Sequence, residues 1–300
     1  MKPLQVKNIS KSYGAVNALE NISFSVDKGQ IFGLIAPDGS GKTTLLRILT
    51  TLILADSGSA TVCGYDIIKD YKHIRRITGY MPGQFSLYPD LTVEENLQFF
   101  ATLFNTTITA NYDIIADIYT QIAPFKNRPA GKLSGGMKQK LALCCALIHR
   151  PKILFLDEPT TGVDPISRID FWNMLHRLKG EGITIVVSTP YMDEAERCDR
   201  ILLMREGKIL ANDTPYGIRS SYRNKLYSVH GTSMYPLLQQ IRQWSDTLSC
   251  YSFGDSHHLA TNHASDITQL HHQLQLAGFN DVTISVIDPT IEDCFMTLTQ

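Results

Sequence analysis

Apolar and polar residues alternate over residues 4–9 and again over 22–26, the period of a strand with one buried face. The triplet Asp27-Lys28-Gly29 reads as a turn, and the mostly apolar run 30–36 predicts a further strand. A breaker cluster, Pro37-Asp38-Gly39-Ser40-Gly41, stops that run. Residues 42–52 then carry good helix formers with apolar positions at helical spacing. Between residues 87 and 150 the pattern is mainly helical, with Thr92 and Glu95 spaced as a capping box that opens a helix toward Phe104. The runs 153–156 and 183–187 are apolar throughout, as in strands covered on both faces of a parallel sheet. Residues 166–178 between them supply the crossover helix of a βαβ unit. Residues 201–204 and 208–211 flank Arg205-Glu206-Gly207 as a hairpin that closes a first domain over 1–217.

Beyond that point the pattern changes. Glycine becomes sparse, and histidines 230, 257, 258, 263, 271 and 272 crowd into the last third. Residues 226–231, 234–244, 248–253, 258–261, 267–277 and 282–287 read as β, α, β, β, α, β, with a last helix from Thr290. A small α+β accessory domain over 218–300 is predicted. His257–His258 and His271–His272 are adjacent pairs, whose side chains diverge on a strand or helix instead of chelating one metal.

Composition narrows the function. Three hundred residues accommodate about two domains. Twenty-eight Lys and Arg against 29 Asp and Glu leave a charge of −1, which argues against a protein built to grip nucleic acid or an anionic bilayer. The basic cluster Lys72-His73-Ile74-Arg75-Arg76 fits a solvated helix face better than a nucleic-acid patch. The longest apolar stretches, 141–148 and 153–156, fall short of the roughly 18 residues of a spanning helix. The first ten residues lack the apolar centre of a signal peptide, so a soluble, cytosolic chain is expected. The six cysteines form no CxxC pair and read as reduced thiols in apolar space.

Chemistry concentrates in three places. Ala36-Pro37-Asp38-Gly39-Ser40-Gly41-Lys42-Thr43, between a strand and a helix, fits a phosphate-binding loop with alanine in place of the opening glycine. Its glycines permit a turn that aims successive N–H groups at phosphate oxygens, and the helix start adds its positive dipole end. Lys42 then reaches the β- and γ-phosphates and Thr43 ligates Mg²⁺. Leu133-Ser134-Gly135-Gly136-Met137-Lys138-Gln139 opens a second helix, expected to run to His149, with Ser134 as N-cap and two glycines at an anion-receptive end. Asp157 and Glu158 place two carboxylates at the C-terminal end of a buried strand, where ligands sit in parallel sheets.

Over residues 1 to about 217 these motifs resemble the ATP-binding subunits of ABC transporters. APDGSGKT is similar to the Walker A motif, LSGGMKQ to the signature, ILFLDEPT to Walker B with its catalytic glutamate, and Thr161-Gly162-Val163-Asp164 to the D-loop. Tyr13 stands where the family stacks an aromatic on adenine, and Asp288-Pro289-Thr290-Ile291-Glu292-Asp293-Cys294-Phe295 resembles the end of drug- and lipid-exporter ATPases with a C-terminal extension. The resemblance implies an α/β P-loop NTPase fold: a RecA-like, mostly parallel core, an N-terminal antiparallel β subdomain and a helical subdomain bearing the signature. It also implies ATP and Mg²⁺ as ligands. Tyr13, Ala36, Pro37, Asp38, Gly39, Ser40, Gly41, Lys42, Thr43, Thr44 and Gln84 would surround the nucleotide. Ser134, Gly135, Gly136 and Asp164 would reach a nucleotide across a dimer, Thr43 and Asp157 would hold the metal, and Glu158 would polarise the attacking water. The implied partners are a second ABC ATPase and an ABC-2-like exporter permease, at the cytoplasmic face of the membrane.

Two family positions depart. Gly83 stands where a glutamine is expected, with Gln84 one position late, and Pro190 replaces the switch histidine. Proline offers no side-chain donor and no N–H. The departures favour a heterodimer over a homodimer, one in which this chain holds a slow site and lends its signature to a complete partner, as in the first half of tandem two-ATPase exporter subunits. A nearly non-hydrolysing regulatory subunit and a soluble ABC ATPase of translation or DNA repair are the alternatives. The second of these is disfavoured by the single cassette and the lack of a coiled-coil insertion.

Overall fold

Strand pairing organises two sheets in the first of two units, Met1–Pro215 and Tyr216–Gln300, of a computed structural model that describes residues 2–262 and 265–299. In chain order the first unit contains β1 (Leu4–Tyr13), β2 (Val16–Val26), β3 (Ile31–Ile35), α1 (Lys42–Leu49), β4 (Ser57–Val62), β5 (Tyr65–Asp66), α2 (Tyr71–Ile77) and β6 (Thr78–Met81). It continues with α3 (Val93–Leu103), α4 (Tyr112–Ile122), α5 (Gly135–Leu147), β7 (Ile153–Asp157), α6 (Pro165–Gly180), β8 (Thr184–Thr189), β9 (Arg200–Arg205) and β10 (Lys208–Asp213).

One sheet is antiparallel, in the order β2-β1-β4-β5. The other runs β10-β9-β3-β8-β7-β6, parallel except for β10 at its edge. Every residue of β3, β7 and β8 is buried, which is why these runs carry no alternation of apolar and polar residues. Helix α1 places Leu45, Leu46, Ile48 and Leu49 in one core with Val6, Ile22 and Val62 of the antiparallel sheet and Phe32, Leu34 and Phe155 of the parallel one. Phe24 and Phe32 stack across that core at 5.2 Å. Each such fully buried aliphatic side chain contributes roughly 1.5–3 kcal/mol, so the helix that begins at Lys42 is fixed from both sides.

The α/β class and the mostly parallel core are as expected, and several boundaries differ. Helix α1 ends at Leu49, before the expected 52: Thr50 caps it and Thr51 turns to φ 64°, which halts helical geometry. Helix α5 ends at Leu147, short of His149. Strand β4 was not foreseen, because Ser-Gly-Ser-Ala-Thr-Val offers little hydrophobic signal; its partner β1 holds it, and a β-carbon at Gly58 would stand 2.3 Å from the carbonyl oxygen of Asn8. Ile74 of α2 is buried while Lys72, His73, Arg75 and Arg76 are exposed, a solvated face, with Arg75 bonding Thr51.

After α7 (Pro215–Ser220) come β11 (Lys225–His230), α8 (Met234–Arg242), β12 (Thr247–Phe253), β13 (Ser256–Thr261), α9 (Ile267–Leu276), β14 (Thr283–Val286) and α10 (Ile291–Leu298). The antiparallel order β12-β13-β11-β14 with βαββαβ connectivity is ferredoxin-like. Leu237, Ile241 and Leu274 of α8 and α9 pack on Val229 and Leu259. His257 and His258 diverge: His257 is buried against Ser252 and the Met234 carbonyl, whereas His258 Nδ1 meets Asp293 Oδ1 at 2.8 Å with Phe253 stacked on its ring. His263 lies outside the described residues. Asp293 also completes the capping box that Thr290 opens for α10.

Asp293→Ala therefore removes a cap and leaves His258 unpaired, for an expected loss of about 2 kcal/mol. Amide exchange in residues 291–298 of the full chain should accelerate about 30-fold, and unchanged protection would refute that anchoring role.

Candidate functional site

Register brings the ends of three buried strands together: Ile35 lies beside Thr189, and Asp157 beside Ser188. The loop after Ile35 then turns into α1. Gly41 adopts φ 95°, and a β-carbon there would stand 2.2 Å from the carbonyl oxygen of Ala18, so only glycine fits. Gly39 has φ 77° with open space around it. Gly41 supplies no side-chain cap, which leaves the first N–H groups of α1 available to an anion. Ala36 is buried, and its N–H bonds the carbonyl of Thr189.

Lys42 is almost fully buried, and its ammonium donates to the carbonyls of Ala36 (2.8 Å) and Pro37 (3.1 Å) and to Glu158 Oε1 (3.1 Å). Asp38 Oδ1 stands 3.9 Å away. Asp157, equally buried, accepts from the hydroxyls of Thr43 (3.1 Å) and Ser188 (2.7 Å). Among the described residues it has no ion pair, so hydroxyls alone meet its charge. A hydroxyl and a carboxylate at one point are the donors that a hard, oxygen-seeking cation such as Mg²⁺ prefers. Glu158 follows in the left-handed region at φ 49°, a conformation that costs a residue with a β-carbon roughly 1–2 kcal/mol. Its N–H is held by the carbonyl (3.1 Å) and hydroxyl (3.0 Å) of Ser188.

Ser134 caps α5, accepting from the Met137 N–H. A β-carbon at Gly135 would stand 3.3 Å from the Gly162 carbonyl, and one at Gly136 would stand 2.8 Å from Ser167 Oγ. The signature end of α5 thus abuts the 162–167 segment of the same chain. Asp164 caps α6, and the Ser167 N–H holds its carboxyl below the usual carboxylate range. Tyr13 ends β1, half exposed, with Lys11 Nζ 5.5 Å from its ring centroid. Thr44 lies on α1 beside Thr43.

Gly83 and Gln84 part company. A β-carbon at Gly83 would stand 3.2 Å from the Asp157 carbonyl oxygen, whereas Gln84 lines a cavity of about 250 Å³ with Met81, Phe85, Phe100, Phe104 and His149. Pro190 follows Thr189 directly at the end of β8. Sequence reasoning missed Ser188, Thr189 and Glu194. Two hydroxyls closing an apolar strand beside the Asp157 strand were the available signal for the first two; Glu194, in a short turn over Met192–Arg197, gave none.

The model of the family described as ABC transporter matches residues 19–161. Over 286 residues the chain is 41% identical to the probable multidrug ABC transporter ATP-binding protein YbhF of Escherichia coli (strain K12), covering 94% of this chain and 49% of that protein. It therefore spans about half the length of that relative. It is 36% identical over 261 residues to the Nod factor export ATP-binding protein I of Burkholderia orbicola (strain AU 1054), covering 83% of this chain and 86% of that one. Among solved structures, the dimeric ATP-binding cassette MJ0796 in a post-hydrolysis state, bound to ADP and Pi, superposes with a TM-score of 0.64 at 25% identity, over 70% of this chain and 98% of that chain.

Gly41→Ala should destabilise the first unit by about 2–3 kcal/mol through steric clash and backbone strain combined. Gly39→Ala, where only the backbone is strained, should cost about 1 kcal/mol. Equal shifts of the two thermal midpoints would contradict the clash at Ala18.

Proposed function

Because the chain belongs to the ABC transporter family, we propose that it binds Mg·ATP where β3, β7 and β8 end, hydrolyses it, and drives a separate ABC-2-like membrane permease in export. The observation that carries this reading is that the start of α1 and the end of β7 meet through two side-chain pairs, Lys42 with Glu158 and Thr43 with Asp157. Among the described residues no helix is long and apolar enough to cross a membrane, which fits a separate permease that holds the subunit at the cytoplasmic face.

In this reading Lys42 gives its charge to the β- and γ-phosphates, the N–H groups of Pro37-to-Thr44 backbone positions other than proline cradle them, and Tyr13 stacks on adenine. Thr43 and Asp157 hold Mg²⁺, which neutralises phosphate charge when bound. Glu158 accepts the proton of the attacking water, its direction set by the Ser188-anchored turn. Ser134, Gly135 and Gly136 with Asp164 cover the nucleotide of a second cassette, and the MJ0796 dimer supports such pairing.

A second reading is favoured by two positions. Pro190 cannot donate to a transition state, and Gly83 offers no side chain beside Asp157, while Gln84 lies in the wall of a cavity. One lost donor slows hydrolysis about 10²–10³-fold. The chain then serves in a heterodimer as a slow or regulatory site that lends its signature to a complete partner.

Calorimetry should detect Mg·ATP binding to the wild type and none to Lys42→Ala; no binding by the wild type would end the proposal. Pro190→His should raise turnover of the isolated chain at least about tenfold. A rate left where it was removes the switch position as the cause of slow hydrolysis.

A further inference from the structure

Glu194 is 1% exposed and lies on none of the segments that carry Lys42, Asp157 or Glu158. Its Oε2 accepts from the hydroxyls of Thr189 (2.6 Å) and Thr160 (3.0 Å), both themselves buried. Its Oε1 accepts from Arg168, at 3.1 Å from Nε and 3.0 Å from the terminal nitrogen. A buried carboxylate is tolerated only when its lone pairs are met in this way, and an apolar side chain would serve packing at lower cost. The charge therefore needs an explanation in what it joins.

Three segments meet on it. Thr160 stands two residues after Glu158, and the Thr161 N–H bonds the Glu158 carbonyl, so Thr160 sits inside the turn that begins at the strained residue. Thr189 follows Ser188, whose hydroxyl and carbonyl hold the Glu158 N–H, and its own hydroxyl also accepts from the Tyr191 N–H across Pro190. Arg168 belongs to α6, with its guanidinium 4.3 Å over the Tyr191 ring. A left-handed residue with a β-carbon persists only where its surroundings over-determine it. Ser188 restrains Glu158 on its N-terminal side, and the bridge from Thr160 through Glu194 to Thr189 restrains it on the other.

We propose that Glu194 is a positioning residue for Glu158: by tying Thr160 to Thr189 it holds the left-handed turn in which Glu158 presents its carboxylate. The inference rests on the hydrolytic role proposed for Glu158. None of the side-chain bonds of Glu194 reaches Lys42 or Thr43, so it acts on the chemical step and not on nucleotide capture.

The test uses the full chain with E194A, E194Q and T160V, and measures Mg·ATP affinity by calorimetry beside single-turnover hydrolysis at saturating ATP. Affinity should stay within about threefold of wild type in all three, while the rate falls about 10- to 100-fold in E194A and about tenfold in T160V. E194Q, whose amide carbonyl still accepts, should recover part of the loss. T160V keeps the volume and the Glu194–Arg168 pair, so it decides the matter if E194A does not fold. Rates equal to wild type in T160V and E194Q, or affinity and rate falling together with thermal stability, overturn the inference. If the wild type binds Mg·ATP without hydrolysing it, the hydrolytic reading fails and this inference with it; if the wild type hydrolyses and T160V matches it, this inference alone fails.

Discussion

Side-by-side pairing of the parallel strands is the constraint on which the rest depends. Because Ile35 pairs with Thr189 and Asp157 with Ser188, three buried strands end at nearly the same level, which sets Asp157, Ser188 and Thr189 beside the loop that follows Ile35. A slip of one residue would turn every side chain of a strand to the opposite face and carry Asp157 away from Thr43. The apolar core around α1 is what makes such a slip costly, since it locks the helix that bears Lys42 between two sheets. Fold and candidate site are in this sense one object.

Much of that arrangement could be read from one dimension. The runs that became β3, β7 and β8 have no solvent face, so their class followed from hydrophobicity, and the parallel pairing of the last two from the crossover helix between them. The loop from Ala36 to Thr43 and the Ser134 cap were legible because glycines and a capping serine act locally. Strand β4 was not, because its conformation comes from its neighbour β1 and not from its own six residues. Glu194 escaped for a related reason: its partners at 160, 168 and 189 are distant in sequence, and nothing near it in the chain says that it is buried. The second unit lay between these extremes, with the order of its elements foreseen and the pairing of His258 with Asp293 visible only in three dimensions.

The two departures from the family pattern are physically unlike. Pro190 sits after the end of β8, where Thr189 donates to Glu194 and accepts from the Tyr191 N–H, so the main chain on both sides of it is held. Gly83 instead removes a side chain beside Asp157, and its neighbour Gln84 lies among aromatic rings in a cavity wall. A one-residue displacement along the chain is thus a change of surroundings, and sequence proximity is a poor guide to chemical replacement.

The three donors of the Lys42 ammonium are already engaged, one of them by the Glu158 carboxylate. A phosphate that settled on this lysine would take the place of one of these partners, and where that partner is Glu158 its capture would be an ion exchange in place of a simple charge attraction. Much of the Coulomb gain would then cancel, because one anion replaces another on the same cation. A filled loop would in that case leave the carboxylate released from its ammonium partner.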